Sequence, residues 1–164
     1  MYTKNNLTAK QIDNFLKLYH LGIGIKILEF DKTQRYVKTK GGISLQKMMD
    51  DHTNFMANLI LPKLHRIMYI LQSNKRAHCD VKPANLVVRM VNKQPELYLI
   101  DNDDVVNFGE MRLVGTPGFN CLMSRLQQGY IAALDTDQHG FSSTVKAIKL
   151  HDPMESSNNN CHVM

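Results

Sequence analysis

The sequence has no Trp among its 164 residues, and aromatic residues make up 7% of it. A base-stacking surface built from interleaved aromatic and basic side chains therefore has little to draw on. One-sided charge is also missing. Lys and Arg number 20 against 15 Asp and Glu, a net charge of +5, and the basic residues are scattered rather than run together. That is a solvated, mildly basic surface, and nucleic acid is not an expected partner. Cysteine is scarce: Cys79, Cys121 and Cys161 are odd in number and far apart. No CxxC or Cys/His spacing suggests zinc, and no disulfide framework is implied. The expected setting is a reducing, intracellular one, the cytoplasm. No apolar run approaches the roughly 20 residues that cross a bilayer. Residues 1–20 carry Asn, Lys and Gln and do not read as a signal peptide.

What is present suffices for one domain with a real core. Thr8 and Gln11 have capping-box spacing, and Ile12, Phe15, Leu16 and Tyr19 follow at helical intervals until Gly22 and Gly24. Ile25–Phe30 and Arg35–Thr39 read as paired strands around a Lys32-Thr33-Gln34 turn. Ser44 opens a short helix, Leu45–Asp50, with Met48 and Met49 facing the core. From about Asn54 to Gln72 an apolar stripe (Phe55, Leu59, Ile60, Leu64, Ile67, Met68, Leu71) predicts the longest helix. Pro62 either kinks it or marks a later start. Leu86–Val91 and Leu97–Ile100 read as a hairpin joined through Asn92-Lys93-Gln94-Pro95. Residues 102–129 lack periodicity and read as a long functional loop. Residues 138–150 predict a helix with Phe141, Val145, Ile148 and Leu150 on its apolar face. The polar stretch 151–164 reads as a disordered tail behind a domain of 1–150.

The chemistry concentrates in His78-Cys79-Asp80-Val81-Lys82-Pro83-Ala84-Asn85, between the long helix and a β-branched strand. The next strand ends in Asp101-Asn102-Asp103-Asp104. Carboxylate and amide oxygens suit a hard cation such as Mg²⁺, and a Lys beside them suits a transferring phosphoryl group.

In this order and spacing the residues resemble a eukaryotic-type protein kinase, of the serine/threonine kind, mainly its C-terminal lobe. Residues 78–85 look like the catalytic loop, with Lys-Pro after the Asp. Asp101-Asn102-Asp103 falls where the family has Asp-Phe-Gly. Gly115-Thr116-Pro117-Gly118-Phe119 resembles the end of the activation loop, and Asp137 the buried Asp that braces the catalytic loop. Arg35–Gly42 is similar to the last N-lobe strand and hinge, and Thr8–Leu21 to the regulatory helix, with Asp13 roughly where the family has its Glu. The resemblance implies an α+β fold: a mostly helical C-lobe with short β-hairpins and a remnant of the N-lobe.

It also implies roles. Asp80 would orient the attacking hydroxyl and Lys82 would neutralise charge on the γ-phosphoryl. Asn85 and Asp101 would hold Mg²⁺. ATP would contact Asn85, Asp101 and the hinge strand Val37, Lys38 and Thr39. Thr116 would contact Asp80 and Lys82, and His78 reads as a structural histidine.

The sequence departs from the family too. Nothing before Thr8 matches the Gly-rich phosphate loop, and Lys4 reads as a mobile terminal lysine rather than the phosphate-pairing Lys. Cys79 stands in place of Arg, Asn102 and Asp103 in place of Phe and Gly, and Met123 near the place of a Glu. Two functions follow. One is ATP-Mg-dependent phosphoryl transfer to a protein hydroxyl, weak in isolation. The other is a non-catalytic pseudokinase fragment that binds or inhibits a kinase or its substrate. The expected partner is a protein substrate or a partner kinase. The terminal Cys161-His162-Val163-Met164 fits a loose prenylation box, which would add a membrane tether.

Overall fold

The computed structural model describes residues 1–51, 56–112, 116, 119 and 129–151. Among them are four α-helices and ten short strands. In chain order these are β1 (Tyr2–Lys4), α1 (Ala9–His20), β2 (Ile27–Asp31), β3 (Tyr36–Thr39), β4 (Ile43–Ser44), α2 (Leu45–Asp50) and α3 (Ala57–Ser73). Then follow β5 (Arg76–Ala77), β6 (Leu86–Val91), β7 (Gln94–Leu99), β8 (Val106–Asn107), β9 (Met111–Arg112), β10 (Tyr130–Ile131) and α4 (Gln138–Leu150). Single 3-10 turns cover Pro83–Asn85 and Asn102–Asp104. The expected α+β class is met.

Local chemistry sets several boundaries. Thr8 Oγ1 accepts from Gln11 N at 3.1 Å while Gln11 Oε1 accepts from Thr8 N at 2.9 Å, the reciprocal cap that starts α1. Ser44 Oγ caps α2 through Lys47 N at 3.1 Å. Helix α3 starts at Ala57, later than periodicity suggested, and runs on through Pro62. The carbonyl that Pro62 leaves without a helical donor belongs to Asn58, an exposed residue that water can serve. The hairpin turn is tighter than expected. Val91 pairs with Gln94, and Asn92 and Lys93 form a two-residue turn at φ 50° and 64°. Pro95 is tolerated because β7 is the outer strand of its sheet.

Two antiparallel sheets matter for the site. One has the order β1-β3-β2 and the other β4-β6-β7. Strand β1 corrects the reading of a mobile terminus: Tyr2, Thr3 and Lys4 pair with Thr39, Lys38 and Val37. The larger core cluster gathers Ile60, Leu64, Ile67 and Leu71 of α3 with Leu86, Leu97, Leu99 and Ile148. A smaller one packs Ile12 and Phe15 of α1 on Leu7 and Val37. Helix α1 serves both, because Leu18 joins the larger cluster. Its buried stripe is thus rotated from the expected one: Ile12, Asn14, Phe15 and Leu18 are buried, while Leu16 and Tyr19 are only partly so. Leu59 and Leu150, expected in the core, are exposed. Met49 is buried, and Met48 packs against the core from its edge.

The two sheets are tied at the end of α1. Leu99 N donates to Ile23 O at 2.8 Å, and Ile25 N donates to Leu99 O at 3.0 Å. Between them a Cβ on Gly24 would lie 2.8 Å from backbone atoms of Leu18 and Tyr19, so the chain can pass only as glycine. No helix among the described residues is long and apolar enough to cross a membrane. Residues 152–164, with the expected disordered tail and the Cys161-His162-Val163-Met164 motif, lie outside the described residues.

Candidate active site

The loop 78–85 is fixed from beneath by one carboxylate. Asp137, buried just before α4, accepts from His78 N at 2.7 Å and from Cys79 N at 2.9 Å. Burial pushes its carboxyl above the usual carboxylate range, against the opposing pull of His78 and the two amides. Cys79, at φ 72°, turns the chain there and buries its side chain with Ala77, Val106 and Ala132. Its thiol thus adds to packing where a cation would not. His78 is buried and structural, as its sequence context suggested. Asp80 N donates to Nδ1 at 3.3 Å, so Nε2 carries the proton and faces Ile100 O at 3.0 Å and Asn102 Oδ1 at 3.2 Å.

Above this base stand the side chains with chemistry. Thr116 Oγ1 donates to Asp80 Oδ1 at 2.6 Å and accepts from Lys82 Nζ at 2.7 Å. Lys82 Nζ also lies 3.2 Å from Asp80 Oδ2, with both side chains about one-fifth exposed. Asn85 Nδ2 donates to Asp80 O at 2.9 Å and to Asp80 Oδ2 at 3.0 Å. The same residue's backbone carbonyl accepts from Ile100 N at 2.9 Å, which brings the loop against the residue before Asp101. Asp80, Lys82, Asn85 and Thr116 therefore form one connected set, and Asp101 adjoins it.

Sequence reasoning missed Lys4. Its Nζ lies 2.5 Å from Asp101 Oδ1 and 2.7 Å from Asp103 Oδ1. Burial acts to lower the Lys4 pKa, and its bonds to Asp101 and Asp103 outweigh that and raise it. Burial likewise acts to raise the Asp101 carboxyl, and Lys4, helped by Asp103 and His78, more than reverses this, leaving it below the ordinary range. Asp13 does not face this group. It pairs with Lys32 at 2.7 Å on the surface, and the next residue, Asn14, points inward and donates to Asp103 O at 2.8 Å. Asn102 is fully buried, its Nδ2 donating to Leu99 O at 3.0 Å.

A cavity of about 320 Å³ opens between the two sheets. Thr39, Lys40 and Gly42 line one side, Val87 and Ile100 another, and Lys4, Asn85 and Asp101 its polar end. Of the three expected hinge contacts, Thr39 faces this cavity. Val37 is packed in the core against α1, and Lys38 pairs with Glu29 at 3.0 Å. An apolar chamber with a few convergent polar groups at one end suits a small ligand with an anionic tail. Among the described residues no three His, Cys, Asp or Glu side chains group to hold a metal. One carboxylate and one amide oxygen fit instead a hard cation that completes its shell with phosphate oxygens and water, as Mg²⁺ does. Asn85 suits this role, since its amide nitrogen is engaged by Asp80 and its oxygen is the atom left for a cation.

This architecture has a counterpart among solved proteins: the chain has a protein-kinase-like fold. The structure of the Cydia pomonella granulovirus kinase PK-1 is similar to it, with a TM-score of 0.66 at 17% sequence identity. The likeness covers 88% of this chain and 56% of that kinase, so the chain spans little more than half of its neighbour's length. No family model matches the chain, and no curated protein matches it by sequence.

Proposed function

We infer that the chain is a serine/threonine protein kinase-like phosphotransferase, built mainly from the C-terminal lobe of that fold with a short N-lobe sheet above it. The observation that carries this reading is the Asp80–Lys82–Thr116 triangle joined to Asn85, which with Asp101 lines the polar end of the cavity. Asp80 is placed to accept from an incoming hydroxyl where Thr116 now donates. Lys82 puts a positive charge on the same spot, and Lys4 adds a second one at the polar end of the cavity. Thr39, Lys40 and Gly42 form the wall for an adenine-like base. Asn85 and Asp101 would hold Mg²⁺, which would supply positive charge against ATP phosphates. Such positioning and charge are most of what phosphoryl transfer asks of a protein. The acceptor is a protein hydroxyl inside the cell.

A second reading, a non-catalytic module that binds a kinase or its substrate, is favoured by one observation. Lys4 sits directly on Asp101, so a metal must compete for that carboxylate. The two readings part in a radiolabelled ATP assay on a general protein acceptor. The kinase reading expects incorporation that falls to background in Asp80→Asn and Asp101→Ala. Equal labelling by wild type and Asp101→Ala would refute it.

A further inference from the structure

Lys4 touches two carboxylates of different standing. The Asp101 side chain is 50% exposed and borders the cavity; that of Asp103 is 13% exposed and lies outside the cavity lining. Asp103 is also held at its backbone, where buried Asn14 of α1 donates to its carbonyl. The single acid of α1, Asp13, is turned to the surface on Lys32, so the helix offers Lys4 no carboxylate.

We propose that Asp103 is the positioning residue for Lys4, fixing its ammonium at the polar end of the cavity while Asp101 turns to a metal-bound polyphosphate. This rests on the nucleotide-site reading above. A lysine shared by two acceptors keeps one when the other is taken. Asp103 therefore lets Asp101 change partners without freeing the long, flexible Lys4 side chain, whose rotamer entropy would otherwise oppose ligand binding. Helix α1 is linked to Asp103 through the Asn14 amide, which donates to the Asp103 backbone carbonyl. A tilt of α1 would break a neutral hydrogen bond, and the ion pair would survive it.

The test is a double-mutant cycle on the full chain, read by calorimetric titration with MgADP. Asp103→Asn is expected to weaken MgADP binding roughly tenfold in the wild-type background and less than about twofold in Lys4→Ala. Asp103→Glu should recover most of the loss. Equal weakening in both backgrounds would give Asp103 a merely structural role and overturn the proposal. If the wild type binds no MgADP, the nucleotide reading fails on its own, and the cycle is then read in thermal melts of the unliganded protein. There Asp103→Asn should lower Tm only while Lys4 is present. Additive Tm shifts would overturn the pairing itself.

Discussion

Removing the Asp137 carboxylate separates the brace of the loop from its chemistry. In Asp137→Ala the amides of His78 and Cys79 lose acceptors at 2.7 and 2.9 Å in a buried setting. Each unsatisfied buried donor costs about 1–3 kcal/mol. Two effects offset part of the sum. Water can enter the space vacated by the side chain. Cys79, held at φ 72°, can also relax from a conformation that costs a non-glycine residue about 1 kcal/mol. The expected net loss is about 2–4 kcal/mol, a large share of the stability of a domain this size. At about 2–4 °C per kcal/mol, Tm should fall by roughly 4–16 °C. Asp137→Asn keeps one acceptor but sets an NH₂ donor against an N–H, so about half the loss should persist. Urea unfolding followed by far-UV circular dichroism measures this directly. A loss below about 1 kcal/mol for Asp137→Ala would refute the brace.

Three further outcomes are expected. A Cβ on Gly140 would lie 2.5 Å from Val81 O and 3.0 Å from Phe119 O. Gly140→Ala should therefore cost about 1–3 kcal/mol and displace the segment between Asp80 and Lys82; an unchanged Tm would contradict the packing. Asn102→Leu removes an acceptor for His78 and a donor to Leu99 O, and should destabilise by about 1–3 kcal/mol in the same melts, despite being more apolar. Lys4 holds the folded Asp101 below the usual carboxylate range, so their bond stabilises above the unfolded carboxylate value, near about pH 3.9, and is lost as pH falls through the folded value. The stability difference between wild type and Lys4→Ala should thus shrink between about pH 6 and pH 2.5, from at most about 1 kcal/mol given Asp101's exposure. A pH-independent difference would argue against the pair.

Much of the fold and site was legible from local chemistry. The capping box at Thr8, the Ser44 cap and the stripes of α3 and α4 each write their element within a few residues. The loop 78–85 was legible because its residue types admit few other uses, and Asp137 because the resemblance places it. Lys4 was not. A three-residue strand completes too little of the two-residue alternation to be recognised, and its partners lie far off in sequence, at Val37 in the sheet and at Asp101 beside its ammonium. Asp13, expected roughly where the family has its Glu, turned to the surface for a different reason. Adjacent helix positions face about 100° apart, so an error in helix phase exchanges an inward residue for an outward one. A signal existed: Asn14 stands four residues before Leu18, on the same face, and Leu18 is fully buried. The tighter hairpin turn was missed because Pro95 reads as a strand breaker until β7 is known to be an edge.

The buried amide of Asn102 has a mechanical consequence. An apolar side chain at that point would be held by contacts that tolerate sliding, since dispersion has little directional preference. Asn102 is held by its bonds to Leu99 O and His78 Nε2, and a hydrogen bond weakens steeply once its angle opens. The turn that carries Asp101 and Asp103 thereby behaves as a latch, not a bearing. It keeps one seated position, and moving the Asn102 amide out of it strains both bonds together.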